Sequence, residues 1–367
     1  MADTMKQSLI ESLTSCPKYI PTWYKYDELG SKLELDCRDT AKNKDYYLYP
    51  CMTSCLKSNI QDLVPNSQSS YTLIDLGSGN CSKTRHVIDQ LFKNQTSLSF
   101  YPLDISKEFL MCSVKKLADE YENLTIYPIA DDYVNGIEKM RHVNGPNVIL
   151  WFNGILNLSY HDQVEMLKLI STLMTDKCHL IFSTDITQDK TSVLKAYDDK
   201  TGKYIYIDND DVDFWRRSSE KKRQAVQQTS GVERFLQKQV LHQISGLHKK
   251  LFLNAITRLN REHGSHINTD LFRYVVDFVS DPNMSYVRAY IQAKDNVTFP
   301  IPGLGIELEM KREERLYFHE KDTGVSCKYT MGQIEALVKR AGLKLTDTWS
   351  DDQKHAVICR CVRAITV

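Results

Sequence analysis

The chain alternates short apolar runs with stretches of helical spacing. Thr72 to Leu76 is an apolar run that ends in Gly77-Ser78-Gly79 and passes into Asn80-Cys-Ser-Lys83-Thr-Arg85, where the spacing turns helical. This pattern predicts a strand, a tight turn and a helix start. It recurs: 97–103, 124–128, 147–152 and 178–183 read as strands, while 162–173 and 189–197 read as helices. Such alternation predicts a parallel sheet with helices on both faces, and ligands outside the carboxyl ends of its strands. Near residue 200 the alternation stops. Residues 208–243 are highly charged, with Arg216-Arg217 and Lys221-Lys222-Arg223, and read as an exposed helical excursion. An amphipathic helix follows over 247–262. From 285 to 318 the chain turns to strands (286–292, 306–310 and 315–318), with Pro300 and Pro302 bracketing a turn. No helices alternate with these strands, so they are assigned to a second, β-rich subdomain. The end returns to the earlier style. Thr330-Met-Gly-Gln333 reads as a capping box opening a helix that stops at Gly342, and 343–348 with 355–362 read as an antiparallel hairpin.

Composition and charge narrow the picture. A length of 367 residues suits one large domain or two of ordinary size. Lys plus Arg and Asp plus Glu both number 47, so no net field draws nucleic acid or an anionic membrane. The basic cluster then reads as a solvated face. No apolar run approaches a membrane span, and the first residues carry no targeting pattern. The ten cysteines are scattered without paired CxxC motifs, so reduced thiols in a cytoplasmic protein and no metal site are expected. A monomer is the expected state, although nothing in the sequence fixes it.

The glycine turn carries the chemistry. Its free N–H groups and the helix start behind it suit a nucleotide-like ligand. A dinucleotide fingerprint asks for a third glycine where this chain has Ser82. An S-adenosylmethionine (SAM) site asks for an acidic residue before the first glycine, here Asp75, and another ending the next strand, here Asp104. At a third strand end, Asp131-Asp132-Tyr133 offers a carboxylate and a ring to an adenine, which a dinucleotide enzyme does not need. A closing helix and antiparallel hairpin are the usual finish of SAM-dependent methyltransferase sheets. Together these features favour SAM.

Further motifs resemble a known family. They are Tyr24-Lys-Tyr26-Asp27-Glu-Leu-Gly30-Ser31, Asp45-Tyr46-Tyr47, Asn157-Leu158, Ala196-Tyr197-Asp198-Asp199, Leu259-Asn-Arg-Glu262 and Val325-Ser326-Cys327-Lys328-Tyr329. In order and spacing they resemble the histidine-specific N-α-methyltransferases of ergothioneine biosynthesis, a family that also includes fungal dimethylallyltryptophan N-methyltransferases. The resemblance covers roughly 18–363, apart from the charged insertion at about 207–245. It implies an α/β fold: a Rossmann-like SAM-dependent methyltransferase core with a second, smaller α+β substrate-binding domain. Residues 1–60 and 201–329 would form the substrate side, 61–200 the cofactor core, and 330–367 the helix and hairpin completing it. Matched residue by residue, Gly77, Ser78, Gly79, Lys83, Asp104, Asp132 and Tyr133 would hold SAM. Asn157 and Tyr197 would hold the carboxylate of a free amino acid whose α-amine is methylated. Tyr26 would lie near the amine as the catalytic candidate, Tyr46 and Ser326 near the side chain, and Phe152 beside the amine.

Two departures bear on the substrate. The family's imidazole-binding glutamate falls at Gly324, and its pocket methionine at Ala289. Both replacements remove bulk and one removes a charge. The expectation is a wider, more apolar pocket for a larger aromatic amino acid, with tryptophan or a related indole first; the alternatives are histidine, or a relative that binds SAM or an amino acid without catalysis.

Overall fold

The computed structural model describes residues 2–65, 70–197, 246–320 and 324–364. The charged insertion, with Asp198 and Asp199 before it, lies outside the described residues. Strands β2 (Thr72–Leu76), β3 (Leu98–Asp104), β4 (Leu124–Ile126), β6 (Asn147–Phe152) and β7 (His179–Asp185) form the parallel centre, in the order β4-β3-β2-β6-β7. The two-residue β5 (Ile129–Ala130) extends the pairing of β3 past a break at Tyr127 and Pro128. Antiparallel β15 (Ala356–Arg363) pairs with β7, and β14 (Leu343–Ser350) pairs with β15.

Strand alternation explains the layers. Leu73, Val148, Leu150, Ile181 and Ile358 pack into one apolar cluster, while Ile74, Ile149, Trp151, Leu180 and Phe182 pack into another. Every residue of β6 is buried, as expected of a central parallel strand covered on both faces. The covering helices are α3 (Leu48–Leu63), α4 (Thr84–Leu91), α5 (Lys107–Glu120), α6 (Tyr133–Lys139), α7 (Tyr160–Ser171), α8 (Lys190–Tyr197) and α10 (Met331–Arg340). The Thr330–Gln333 capping box forms with both of its hydrogen bonds, and Gly342, at φ +73°, follows the helix end. No helix among the described residues is long and apolar enough to cross a membrane.

The β-rich segments join this sheet. Strands β8 (Phe272–Val279), β9 (Ser285–Ala293), β12 (Arg315–Tyr317), β13 (Val325–Lys328) and β1 (Lys18–Tyr19) continue it beyond β7. The junction is narrow. In the β13–β7 ladder Lys328 faces Asp185, and their side chains form a fully buried ion pair at 3.0 Å. The larger apolar cluster runs on through Val287, Ile291, Leu316 and Phe318, so the two regions share one core. Two details differ from the sequence reading. Pro300 lies within β10 (Val297–Ile301), paired with β11 (Ile306–Met310) in a separate two-stranded ribbon, where a missing N–H can face away from the ladder. The turn itself is the 3₁₀ segment Pro302–Leu304 closed by Gly305. Strand β8 and the amino-terminal helices α1 (Ala2–Thr14) and α2 (Glu28–Arg38) had no distinct signature.

The motif Tyr26-Asp27-x-x-Gly30-Ser31 is chiefly a lock. Asp27 caps α2 by accepting from Gly30 N at 2.7 Å. It also accepts from Asn254 Nδ2 at 2.7 Å and from Arg261, both on α9 (Leu247–His263). A Cβ on Gly30 would lie 1.7 Å from the Lys25 carbonyl oxygen. Gly30→Ala is therefore expected to cost at least ~1–3 kcal/mol, as overpacked sites do. A thermal melt checks this, and an unchanged midpoint would show that the lock can give.

Candidate active site

A cavity of about 800 Å³ opens at the carboxyl ends of β2, β3 and β6. Gly77 and Gly79, at φ +77° and +55°, make the turn after β2. Gly77 N and Ser78 N donate to Leu103 O at 2.8 and 3.0 Å, fastening the turn to β3. Asp104 ends β3 and is held by two backbone donors, Gly79 N at 2.9 Å and Ser106 N at 3.0 Å. Asp132 caps α6 by accepting from Asn135 N at 2.9 Å, which sets Tyr133 at the first helical position. A Cβ on Gly77 would come within 2.8 Å of Tyr133 Oη, and one on Gly154 within 2.5 Å. Both glycines thus leave a cradle that any side chain would fill. Gly77, Gly79, Asp104, Asp132 and Tyr133 all line the cavity. This donor set fits SAM: a buried carboxylate for ribose hydroxyls, a second acid with a ring for adenine, and a glycine-lined approach.

Three residues expected at this end stand back from it. Ser78 and Asp75 are buried behind the turn, where Asp75 accepts from the Thr84 hydroxyl. Burial pushes the Asp75 carboxyl up to about 6. Lys83 is buried and is not among the lining residues; its Nζ is 5.3 Å from the Phe152 ring and 5.5 Å from the Tyr49 ring.

The amino-acid candidates also converge. Tyr26, Tyr46, Phe152, Asn157, Tyr197 and Ser326 line the same cavity. Asn157 Oδ1 accepts from Ser326 N at 3.4 Å. Ser326 sits at φ +52°, a region sparsely used by non-glycine residues, and its hydroxyl and carbonyl both accept from Lys328 Nζ. Burial holds the Tyr26 phenol well above its ordinary pKa, so it is a neutral hydrogen-bonding group at working pH. Ala289 and Gly324 are not among the residues that line the cavity. Ala289 is fully buried opposite Val276 of β8. A Cβ on Gly324 would lie 2.1 Å from Tyr286 Cδ2 and 2.6 Å from Val287 O. The Tyr286 ring occupies the space beside Gly324 that a side chain there would need.

The profile of histidine-specific, SAM-dependent methyltransferases matches residues 5–207 and 241–363. The chain belongs to this family. A histidine N-α-methyltransferase of Mycolicibacterium smegmatis is 22% identical over 350 residues, spanning 95% of this chain and 92% of its own. Ergothioneine biosynthesis protein 1 of Neurospora crassa is 25% identical over 51% of this chain and 21% of its own. The 4-dimethylallyltryptophan N-methyltransferase of Epichloe festucae is 21% identical over 53% of this chain and 59% of its own. The protein is thus a SAM-dependent methyltransferase whose relatives are N-methyltransferases.

Other residues of this methyltransferase line the cavity without having been anticipated. Glu34 and Arg38, ion-paired at 2.8 Å on α2, follow the lock motif; their i,i+4 spacing was the available signal. His248 packs against Tyr46 and Tyr197, with ring centroids 5.0 and 4.5 Å away, and burial lowers it to about 4, leaving it neutral. Trp23, Phe252 and Glu320 complete the wall, and the Glu320 carboxylate accepts from Thr22 N at 2.9 Å and Thr22 Oγ1 at 2.7 Å. Such distant pairings leave no local trace.

Two buried lysines make stability depend on pH. Burial lowers Lys83 to about 7 and Lys25 to about 8, whereas unfolded lysines titrate near ~10.4. Between pH 7 and 8.5 the unfolded chain therefore binds more protons at these two sites, and their contribution to stability rises with pH. Burial pushes the thiols of Cys37, Cys51, Cys55, Cys81, Cys327, Cys359 and Cys361 up, which acts in the opposite sense because unfolded cysteines titrate near ~8.5. The lysine contribution is therefore read as a difference: raising the pH from 7 to 8.5 should favour the melting temperature of the wild type over that of Lys83→Met. Equal pH dependence of the two midpoints would contradict the lowered Lys83 value.

Proposed function

We propose that this methyltransferase acts on the α-amine of a free amino acid with a bulky aromatic side chain, tryptophan or a derivative first. The carrying observation is the cavity itself. Its volume lies toward the upper end of small-molecule pockets, roughly 300–1,000 Å³, with room for a cofactor and a second molecule. Besides Asn157 and Ser326, its wall includes the rings of Trp23, Tyr26, Tyr46, Tyr197 and Phe252. Rings supply apolar area with defined geometry for an aromatic guest. Histidine is the second reading. It is favoured by the Glu320 carboxylate, an acceptor for a ring N–H, and by the relatives that span nearly the whole chain.

Bound SAM supplies an electrophilic methyl group on a sulfonium. Gly77, Gly79, Asp104, Asp132 and Tyr133 would hold it, while Asn157 and Tyr197 would grip the acceptor carboxylate. Alignment is the main contribution of the protein, since effective molarities for positioned reactants are worth roughly 7–11 kcal/mol. The amine must reach the reaction neutral, and partial desolvation lowers its pKa. Tyr26 keeps its own proton and therefore orients the amine or relays its proton through water, without taking the proton as a base. Betaine formation would follow from up to three successive transfers.

Release of S-adenosylhomocysteine with a panel of free amino acids, and with protein substrates in parallel, tests the reading; mass spectrometry counts the methyl groups. Turnover of indole amino acids is expected. Strong turnover of histidine alone moves the assignment to the second reading, and turnover of proteins alone rejects both.

A further inference from the structure

We propose that Cys51, Asp351 and His355 form a binding site for a thiophilic divalent cation, with Zn²⁺ as first candidate. The three residues lie outside the cavity. Cys51 is on the first turn of α3, and Asp351 and His355 stand in the loop joining β14 to β15. Their Sγ, carboxylate oxygen and ring nitrogen all fall within 4.8 Å of one another, and among the described residues no other such trio does.

The separations approach those of ligands around a common centre. His355 Nδ1 is 3.7 Å from Cys51 Sγ, a sulfur hydrogen bond, and 3.8 Å from Asp351 Oδ2, and the third edge lies within 4.8 Å. Nitrogen and oxygen 3.8 Å apart are too distant for a hydrogen bond. A tetrahedral zinc ion with bonds of about 2.0–2.3 Å holds its ligand atoms about 3.4–3.6 Å apart, so the two edges at His355 need a contraction of only a few tenths of an ångström to seat one. The set is pre-oriented as well. Asp351 Oδ1 accepts from His355 N at 2.8 Å and from Ala356 N at 2.6 Å, which fixes the carboxylate. The His355 ring packs on Tyr47 with centroids 4.8 Å apart. Supporting contacts of this kind set ligand orientation at metal centres. The His355 side chain is 22% exposed and Cys51 is only half-buried, so an ion can enter.

Binding would convert the Cys51 thiol to a thiolate and release one proton, and thiolate plus carboxylate would balance the dication. Three protein ligands and one exogenous ligand match zinc sites that keep an open position. The ion would tie the start of α3 to the closing hairpin.

Co²⁺, added to the reduced, chelator-treated full chain, is the probe. One equivalent should produce a near-ultraviolet thiolate-to-cobalt band that Zn²⁺ displaces. The band should survive Cys16→Ser and Cys112→Ser, vanish in Cys51→Ser, and require at least tenfold more Co²⁺ in His355→Asn. One equivalent of Zn²⁺ should also raise the melting temperature reversibly in the wild type and not in Cys51→Ser. If Cys51→Ser fails to fold, His355→Asn decides. Absence of the band at one equivalent, or its persistence in Cys51→Ser, overturns the site.

Discussion

Asp104→Ala is expected to weaken binding of SAM and S-adenosylhomocysteine by about 10²–10⁴-fold. The Asp104 carboxylate meets two demands at once. It holds the amides of Gly79 and Ser106, and it faces the cavity where ribose hydroxyls would sit. A hydrogen bond to a charged acceptor contributes about 1.5–3 kcal/mol, and a buried donor left unpaired costs about 1–3 kcal/mol. Losing two ligand bonds and loosening the turn therefore amounts to roughly 3–6 kcal/mol, which converts to that range at 1.4 kcal/mol per tenfold. Calorimetric titration with S-adenosylhomocysteine reads the loss. Asp104→Asn, which keeps one acceptor oxygen, should fall between. Binding within threefold of wild type in the alanine variant would remove Asp104 from the cofactor site.

Asn157→Ala should raise the KM for the amino acid by about 10–100-fold and leave S-adenosylhomocysteine affinity within about twofold. Charged hydrogen bonds of about 1.5–3 kcal/mol set the scale. Asn157 ends the 3₁₀ turn after β6 and reaches to Ser326 N on β13, so it ties the central strands to the β-rich continuation of the sheet. Truncation removes both the proposed carboxylate donor and the restraint on Ser326 in its left-handed conformation. Initial-rate kinetics over both substrates separate the effects. Equal loss for both ligands would mean that Asn157 is a structural brace for the whole cavity.

Much of the donor side was legible because its signals are local. The strand before Gly77, the acid ending the next strand and the Thr330 capping box each lie within a few residues of what they control. The acceptor side is assembled from residues far apart. Thr22 and Glu320, which share the cavity wall, are 298 positions apart. Family motifs drew Tyr26, Tyr46, Asn157, Tyr197 and Ser326 to one cavity, where composition alone could not. They gave no view of what surrounds Gly324, because the Tyr286 ring beside it lies on a different strand. The surroundings of Lys83 were obscured for the same reason: the Phe152 ring near its ammonium arrives from β6.

The narrow junction between β13 and β7 has a consequence for how the chain is made. Strands β2, β3, β6 and β7 leave the ribosome early and pair with near neighbours. The amino-terminal strand β1, although synthesised first, must wait for Leu316 and Tyr317 before it has a ladder to join. Long-range pairing of this kind is slow to close. A chain halted short of residue 315 therefore leaves its amino-terminal strand without its partner, and the central sheet itself waits for Ala356–Arg363 to cover β7.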